Sequence, residues 1–229
     1  MIDIHTHVLP EVDDGSDSLE SSVQMIKESV NQGTTDIILT PHFRGEFKLP
    51  LKEIRAKFLE FKQHIDKLGI AVNLYLGQEI FIERGYKTLF KDDVVLSIND
   101  GKYILIEFDY DIKRDVTEVV YELVRMGYTP IIAHIERYYN YDVSLAFEVR
   151  ELGGLIQVNA ESLVGKQKRV FGRKVKKLLK EDLVDFIASD VHFSRENFLL
   201  KAYALVAKKY GKDRAQKIFI DNARKIIEG

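Results

Sequence analysis

Short apolar runs alternate with longer amphipathic stretches along the whole chain of 229 residues. The apolar runs are rich in Ile and Val and are about as short as buried strands usually are. Seven of them are predicted as strands, over residues 1–4, 36–39, 71–76, 103–108, 130–133, 155–159 and 185–188. This alternation is the feature that most constrains the fold, because a chain built this way favours a parallel sheet with helices outside it.

The amphipathic stretches between these runs are predicted as helices. They cover residues 17–32, 52–68, 116–126, 143–152, 197–209 and 213–220. Asp17 to Glu20 reads as a capping box at the start of the first helix, and Gly33 is a typical residue just past its end. Seven strand–helix units in one domain, residues 1–229, predict an α/β protein with a closed or nearly closed barrel.

Composition excludes several classes of function. The 34 Lys and Arg against 36 Asp and Glu give a net charge of −2, which disfavours a general nucleic-acid or membrane-surface binder. The absence of cysteine rules out disulfides, zinc–thiolate sites, iron–sulfur clusters and a cysteine nucleophile. Since no secretion signal or run of 18 apolar residues is visible, we expect a cytoplasmic protein without membrane insertion.

Polar side chains that can bind metals are concentrated at the ends of the predicted strands. Five of the six histidines follow a strand directly, namely His5, His7, His42, His134 and His192. Carboxylates stand in the same place at other strands or in the first loop, namely Glu79, Glu107, Asp190 and Asp14. Because the carboxyl ends of barrel strands meet at one rim, these nine residues are expected to lie together.

A single histidine or glutamate at a strand end is more often a loop or core residue than a metal ligand. His64, on a solvated helix face, is interpreted in this way. The nine candidates are interpreted differently because they occur together, and several carboxylates buried together need cations. Nine ligands exceed the number at a mononuclear site, so they suit two or three metals. Nitrogen and oxygen donors without sulfur favour Mn, Fe or Zn without deciding among them.

Two arginines stand three residues beyond candidate ligands, Arg137 after His134 and Arg195 after His192. Their planar guanidinium groups suit a bidentate grip on phosphate, although a surface salt bridge is the more common role of an arginine. Arg44 has a weaker claim. A basic run over 166–177 is interpreted as a solvated helix face, with a docking surface for an acidic or phosphorylated partner as the less favoured alternative.

Several motifs together resemble the polymerase and histidinol phosphatase (PHP) superfamily. They are Asp-Ile-His-Thr-His at 3–7, Pro-His at 41–42, Glu79, Glu107, Ala-His-Ile-Glu-Arg-Tyr at 133–138 and Ser-Asp-Val-His at 189–192. More narrowly, the chain resembles the manganese-dependent protein-tyrosine phosphatases of bacterial capsule and exopolysaccharide operons. The resemblance covers nearly the whole chain, including residues 7–15 and 219–227.

The resemblance implies a distorted (β/α)7 TIM-like barrel, the PHP fold, with three divalent metals, usually Mn²⁺. It places one metal on His5, His7, Glu79 and Asp190. It places a second on Glu79, Glu107 and His134, with Glu79 bridging, and a third on Asp14, His42 and His192.

The activity implied is hydrolysis of phosphotyrosine in proteins, with the C-terminal tail of a bacterial tyrosine autokinase as the usual substrate. Metal-activated hydroxide is expected to attack phosphorus without a phosphocysteine intermediate, with Arg137, Arg195, His42 and Asp14 as the catalytic residues. Histidinol-phosphate phosphatase is the main alternative. An exonuclease is disfavoured by the net charge, and a metal-stabilised protein without activity would leave the two arginines unexplained.

Overall fold

The computed structural model describes residues 1–111, 114–139, 141–193 and 195–228. Gly229, the last residue of the predicted single domain, lies outside the described residues. The strands found in the described part are β1 (Ile2–Thr6), β2 (Asp36–Leu39), β3 (His42–Phe43), β4 (Asn73–Leu76), β5 (Glu79–Phe81), β6 (Tyr103–Glu107), β7 (Thr129–Ile132), β8 (Leu155–Asn159) and β9 (Phe186–Ala188).

The strands form two parallel sheets, one in the order β1-β2-β4 and one in the order β3-β5-β6-β7-β8-β9. The first and last strands in sequence are also neighbours, because Asp190 N donates to His5 O at 2.9 Å and Thr6 forms a parallel bridge with Val191. The protein is therefore an α/β fold whose parallel strands curve around a common interior, as the alternation of the sequence predicts.

Two of the predicted strands are each followed by a second, short strand that the sequence did not indicate. β2 stops before Thr40 and Pro41, and β3 follows; β4 stops before Gly77 and Gln78, and β5 follows. Proline has no amide hydrogen to donate at the first break. At the second, a Cβ on Gly77 would lie only 3.1 Å from Ile98 Cγ1. His42 and Glu79 therefore open short strands instead of following long ones.

The helices are α1 (Leu19–Asn31), α2 (Leu51–Lys67), α3 (Tyr86–Lys91), α4 (Val116–Arg125), α5 (Val143–Glu151), α6 (Ala160–Val164), α7 (Arg169–Lys180), α8 (Leu199–Tyr210), α9 (Lys212–Gln216) and α10 (Asn222–Glu228). Short 3-10 helices cover Ile98–Asp100 and Ile135–Arg137, and a π-helix covers Lys217–Asp221. Among the described residues, no helix has both the length and the apolar character needed to cross a bilayer.

Two helix predictions need correction. Ser18, not Asp17, caps α1, because its hydroxyl accepts a hydrogen bond from Ser21 N at 3.2 Å. Asp17 instead accepts a hydrogen bond from the Ser21 hydroxyl at 2.6 Å. The capping box predicted between Asp17 and Glu20 is therefore not formed among the described residues. The helix predicted over 213–220 is divided between α9 and the π-helix.

Both faces of the parallel strands are buried, which explains their continuous apolar runs. In β2, Ile37 and Leu39 pack with the residues of α1 and α2, whereas Ile38 points the other way, into the interior. In β6, Ile104 and Ile106 pack outward and Leu105 packs inward against other strands. This alternation holds each strand in one register, and so fixes which side chains reach the rim at its carboxyl end.

Candidate metal centre

All nine predicted ligands gather at the carboxyl-end rim of the strands. Eight of them are buried, namely His5, His7, His42, Glu79, Glu107, His134, Asp190 and His192. The ninth, Asp14, lies in the loop after β1 with its side chain 49% exposed. Side chains from both ends and the middle of the sequence therefore meet in one cup, as the barrel prediction required.

Four donor atoms from three separate segments of the chain lie close together. His5 Nε2 lies 3.1 Å from His7 Nε2 and 3.2 Å from Glu79 Oε2. His7 Nε2 lies 3.3 Å from Glu79 Oε2 and 3.4 Å from Asp190 Oδ1. Two ligands each about 2.1 Å from one metal would be roughly 3.0–3.4 Å apart at ordinary coordination angles. The observed spacing fits a metal held by these four residues.

The opposite ring nitrogens of the two histidines are held by acceptors. His7 Nδ1 donates to Asp13 Oδ2 at 2.7 Å, and His5 Nδ1 donates to Gln157 Oε1 at 3.2 Å. Because these oxygens can only accept, each Nδ1 carries the hydrogen and a neutral ring leaves Nε2 free. Metal-binding histidines are commonly oriented in this way.

The remaining ligands form further overlapping groups. His134 Nε2 is 2.7 Å from Glu79 Oε1 but 3.9 Å from Glu107 Oε2. Asp14 Oδ1 lies 3.4 Å from His42 Nε2 and 3.5 Å from His192 Nε2. Sets whose donor atoms lie within 4.8 Å of one another include His7–Asp14–His42–His192, His5–His7–Asp190, His5–Glu79–His134 and His42–Glu79–Glu107.

The two pairs of candidate ligands that are spaced by one residue differ in backbone conformation. Residues two apart in an extended chain point to the same side, which describes His5 and His7 but not Asp190 and His192. The backbone of Asp190 has φ of 50°, so the segment is not extended there, and the two residues enter different groups. His134 is also left-handed, with φ of 32°. Two candidate ligands thus have a backbone conformation that costs free energy and that occurs preferentially at functional sites.

Some buried polar atoms in the cup are close to one another without hydrogen-bonding. His42 Nδ1 and Glu79 Oε2 are 2.9 Å apart, yet neither has a hydrogen-bond partner among the described residues. His134 Nδ1 also lacks a hydrogen-bond partner among these residues, while the Nε2 of the same ring faces Glu79. Buried polar atoms are rarely left unpaired, because this costs free energy. Donors that converge without bonding each other are what a cation between them requires, so the residues present fit bound metals.

The cup combines buried acids with buried imidazoles. Burial alone would raise the pKa of Asp190, but His5, His7 and Arg137 beside it hold that pKa well below its usual range. Burial also opposes ionisation of Glu79, and the neighbouring His5 and His42 lower its pKa well below the ordinary value. Both carboxylates are therefore ionised at neutral pH, the form in which they bind metals.

Three guanidinium groups lie at the edge of the cup. Arg137 Nη1 donates to Asp190 Oδ2 at 2.9 Å, and Arg195 Nη1 lies 3.8 Å from the same oxygen. Arg44, which the sequence favoured less, donates to Glu107 Oε1 at 3.4 Å. The structure thus brings both predicted arginines, and a third, to positions from which they can contact an anion on the cluster.

Sequence reasoning missed the residues that orient the ligands. Asp13 Oδ2 accepts from His7 Nδ1 and from His42 N at 2.9 Å. Gln157 Oε1 also accepts from His134 N at 2.7 Å, and Asn159 Nδ2 donates to Asp190 Oδ2 at 2.7 Å. A signal existed for Gln157 and Asn159, because they alternate on β8 within an otherwise apolar strand. No pattern separated Asp13 from its neighbour Asp14.

Gly15 closes the same loop against β1. A Cβ at this position would lie 2.1 Å from His7 O and 2.3 Å from His7 Cβ. No side chain fits without displacing His7, so glycine is required here for the close approach of two backbone segments.

Replacing Asp13 with Asn is expected to weaken metal binding by about 10- to 100-fold, because His7 loses a charged acceptor for its Nδ1 hydrogen. Titration of the metal-free protein with Mn²⁺ measures the change. Glu11→Gln, an exposed acid in the same loop, is the control and should bind metal as the wild type does. Equal affinity in D13N and wild type would contradict the orienting role.

The parallel α/β fold and the cluster of imidazoles and carboxylates at its strand ends define a metal-binding protein. The chain belongs to the capsular polysaccharide synthesis family CpsB/CapC, whose family model matches residues 1–228.

Named relatives agree with this family. The tyrosine-protein phosphatase CpsB of Streptococcus pneumoniae is 33% identical over 238 residues, covering 99% of this chain and 98% of that protein. A crystal structure from work on YwqE of Bacillus subtilis and CpsB of Streptococcus pneumoniae, described as unique metal-dependent tyrosine phosphatases, matches with a TM-score of 0.92 and 33% identity. That match covers all of this chain and 94% of the other.

A more distant likeness concerns the fold alone. The histidinol phosphate phosphatase of Lactococcus lactis, whose crystal structure contains zinc, L-histidinol and phosphate, matches with a TM-score of 0.61 at 15% identity. The match covers 92% of this chain and 93% of the other. The expected PHP-like architecture is therefore supported as a general fold.

Proposed function

We propose that this protein is a metal-dependent protein-tyrosine phosphatase that hydrolyses phosphotyrosine in protein substrates. The observation that supports this proposal most directly is the position of Arg137, which donates a hydrogen bond to Asp190 at the edge of the ligand cluster. From this position, the Arg137 guanidinium can contact a phosphate that the cluster binds. Family membership and the names of the full-length relatives support the same activity.

The finer architecture belongs to the same proposal. Counting β2 with β3 and β4 with β5 as interrupted strands gives seven, which supports a distorted (β/α)7 barrel forming one domain over residues 1–229. The contact of β1 with the segment after β9 supports closure of that barrel.

We assign three metals, most favourably Mn²⁺, with Fe or Zn as alternatives. His5, His7, Glu79 and Asp190 would hold the first, and the spacing of their donor atoms supports this set. Asp14, His42 and His192 would hold the third. Glu79, Glu107 and His134 would hold the second, although the structure places His134 Nε2 closer to Glu79 than to Glu107.

Bound divalent metals would supply Lewis acidity at the phosphate and would lower the pKa of water. Arg137 and Arg195 would bind the equatorial phosphate oxygens, whose charge is stabilised in the transition state. The leaving phenolate has a pKa of about 10 in its free form, so it needs little help from an acid, and His42 is near enough to the cluster to assist. Without cysteine, the chain cannot form a phosphocysteine.

The substrate we propose is the tyrosine-containing C-terminal tail of a bacterial tyrosine autokinase in the cytoplasm. Its support is the family description, capsular polysaccharide synthesis, together with the phosphatase names of the relatives. Nucleic acid is not proposed as a substrate because the net charge is −2.

The test compares three phosphoesters with Mn²⁺ present: a tyrosine-phosphorylated peptide, the same peptide with phosphoserine, and histidinol phosphate. We expect the phosphotyrosine peptide to have the highest kcat/KM, and a chelator to abolish its hydrolysis until Mn²⁺ is restored. Faster hydrolysis of histidinol phosphate would favour the small-molecule alternative. Undiminished activity in the chelated protein would contradict the metal-dependent mechanism.

A further inference from the structure

A continuous series of side-chain contacts leads from the ligand cluster out to the protein surface. Arg137 Nη2 donates to the Tyr110 hydroxyl at 2.6 Å, and the Arg137 guanidinium lies 5.3 Å from the Tyr110 ring centre. The Tyr110 and Tyr139 rings are 6.0 Å apart. Lys168 Nζ donates to the Tyr139 hydroxyl at 3.3 Å. The series therefore ends at the residue that precedes α7.

Both tyrosines of this series are substantially exposed, Tyr110 by 47% and Tyr139 by 55%. Neither ring fills the core, so neither is explained by packing of the fold. Exposed aromatic rings beside an arginine present flat apolar surface to a bound chain. The series is a track along which a peptide can lie while its phosphate contacts Arg137.

The track meets a strongly basic helix. Six of the twelve residues of α7 are Lys or Arg, and none is acidic. Its apolar face, which includes Phe171 and Val175, is buried, while Arg169, Lys176 and Lys180 are exposed. Lys168 and Arg169 stand at the end of the helix that adjoins Tyr139. Lys176 and Lys180 lie two to three turns further along, away from the cup.

We infer that the tyrosine track and the first turn of α7 form a docking surface for a carboxylate-rich segment of the phosphoprotein, next to its phosphotyrosine. The surface is defined by Tyr110, Tyr139, Lys168 and Arg169. It rests on the proposed function and extends it, because it assigns a sequence context to the substrate. Its support is charge complementarity together with continuity with Arg137.

Exposure to solvent explains why α7 is rich in charged residues. It does not explain the hydrogen bond from Lys168 to Tyr139, or the two exposed tyrosines that lie between Lys168 and Arg137. The chain as a whole carries a charge of −2, so this basic surface is local. An acidic peptide is preferred to a membrane as its occupant, because the track connects the surface to a site for a single phosphate group.

The experiment measures kcat/KM for two phosphotyrosine peptides of equal length, one flanked by four glutamates and one by four serines. Exposed ion pairs contribute about 1.4- to 5-fold each. With two such pairs, the wild type should prefer the acidic peptide by about 2- to 25-fold at low salt. The preference should shrink as salt is added, since exposed charges are screened.

Two double variants with the same charge change distinguish the start of α7 from its far end. K168E/R169E should lose or reverse the preference for the acidic peptide, measured as the ratio of the two kcat/KM values. K176E/K180E should keep the wild-type preference. Tyr139→Leu should lower kcat/KM for both peptides by about twofold to tenfold, because it removes the ring beneath the peptide.

The possible failures are distinguishable. If neither peptide is hydrolysed by the wild type, the proposed phosphatase function fails. If both are hydrolysed equally well, or if the two double variants lose the preference equally, the docking surface is refuted while the phosphatase function stands. Equal peptide kinetics combined with K168E/R169E-sensitive binding to anionic lipid vesicles would assign the basic surface to a membrane instead.

Discussion

Replacing Glu79 with Gln should reduce phosphotyrosine hydrolysis by more than about 10³-fold and lower the amount of metal bound per chain. Glu79 is fully buried, and its carboxylate lies within 3.3 Å of His5, His7, His42 and His134 nitrogens. The amide keeps the shape but removes the charge that would be shared between metals. The loss should exceed the 10²–10³-fold typical of one transition-state hydrogen-bond donor.

The measurement is kcat with a phosphotyrosine peptide, alongside elemental analysis of the purified protein. Glu83→Gln is a matched control, because Glu83 lies four residues away but is only half-buried, with its side chain 39% exposed and paired with Lys48 at 2.9 Å. It should retain wild-type activity and metal content. Near-normal turnover in E79Q would refute the assignment of Glu79 as a metal ligand. It would not refute the phosphatase activity itself.

Replacing Arg137 with Ala should lower kcat by about 10²–10³-fold and weaken inhibition by inorganic phosphate, while leaving the metal content nearly intact. The guanidinium lies beside the cluster with only 16% of the side chain exposed, so it is positioned to contact a bound phosphate rather than water. Lysine at this position should restore only part of the activity, because it lacks the planar fork.

Arg125→Ala serves as the control for R137A, since Arg125 is an exposed arginine at the end of α4. Its activity and phosphate inhibition should match the wild type. If R137A instead lost most of its metal, the main role of Arg137 would be its hydrogen bond to Asp190. Arg137 would then orient a metal ligand and would not be a phosphate-binding residue.

Much of the cup could be predicted from the sequence because strand ends are conspicuous. Ile and Val runs marked the strands, and polar residues at the ends of six of these runs or in the loops after them marked the rim. His5, His134 and Asp190, far apart in sequence, were brought together by this argument alone. His64, which lacked a strand before it, lies on α2, outside all metal-binding groups of the described residues.

The rest could not be predicted, for physical reasons. β3 and β5 have only two and three residues, too few for any periodicity to appear. Asp13 and Asp14 are adjacent and chemically identical, and only the path of the loop makes one a support for His7 and the other a candidate ligand. The segment at Asp190, whose backbone is left-handed, bonds to the neighbouring strand β1, far away in sequence, which no local pattern encodes.

The contact between the first and last strands has a consequence for synthesis of the protein. Ser189 N donates to Asp3 Oδ1 across 186 residues of sequence, beside the place where His5 and His7 approach Asp190. During translation, His5 and His7 therefore leave the ribosome long before Asp190, the carboxylate that lies beside them in the folded protein. Contacts of such large sequence separation form slowly, so the nascent polypeptide carries most of its imidazoles before it can assemble the full cup.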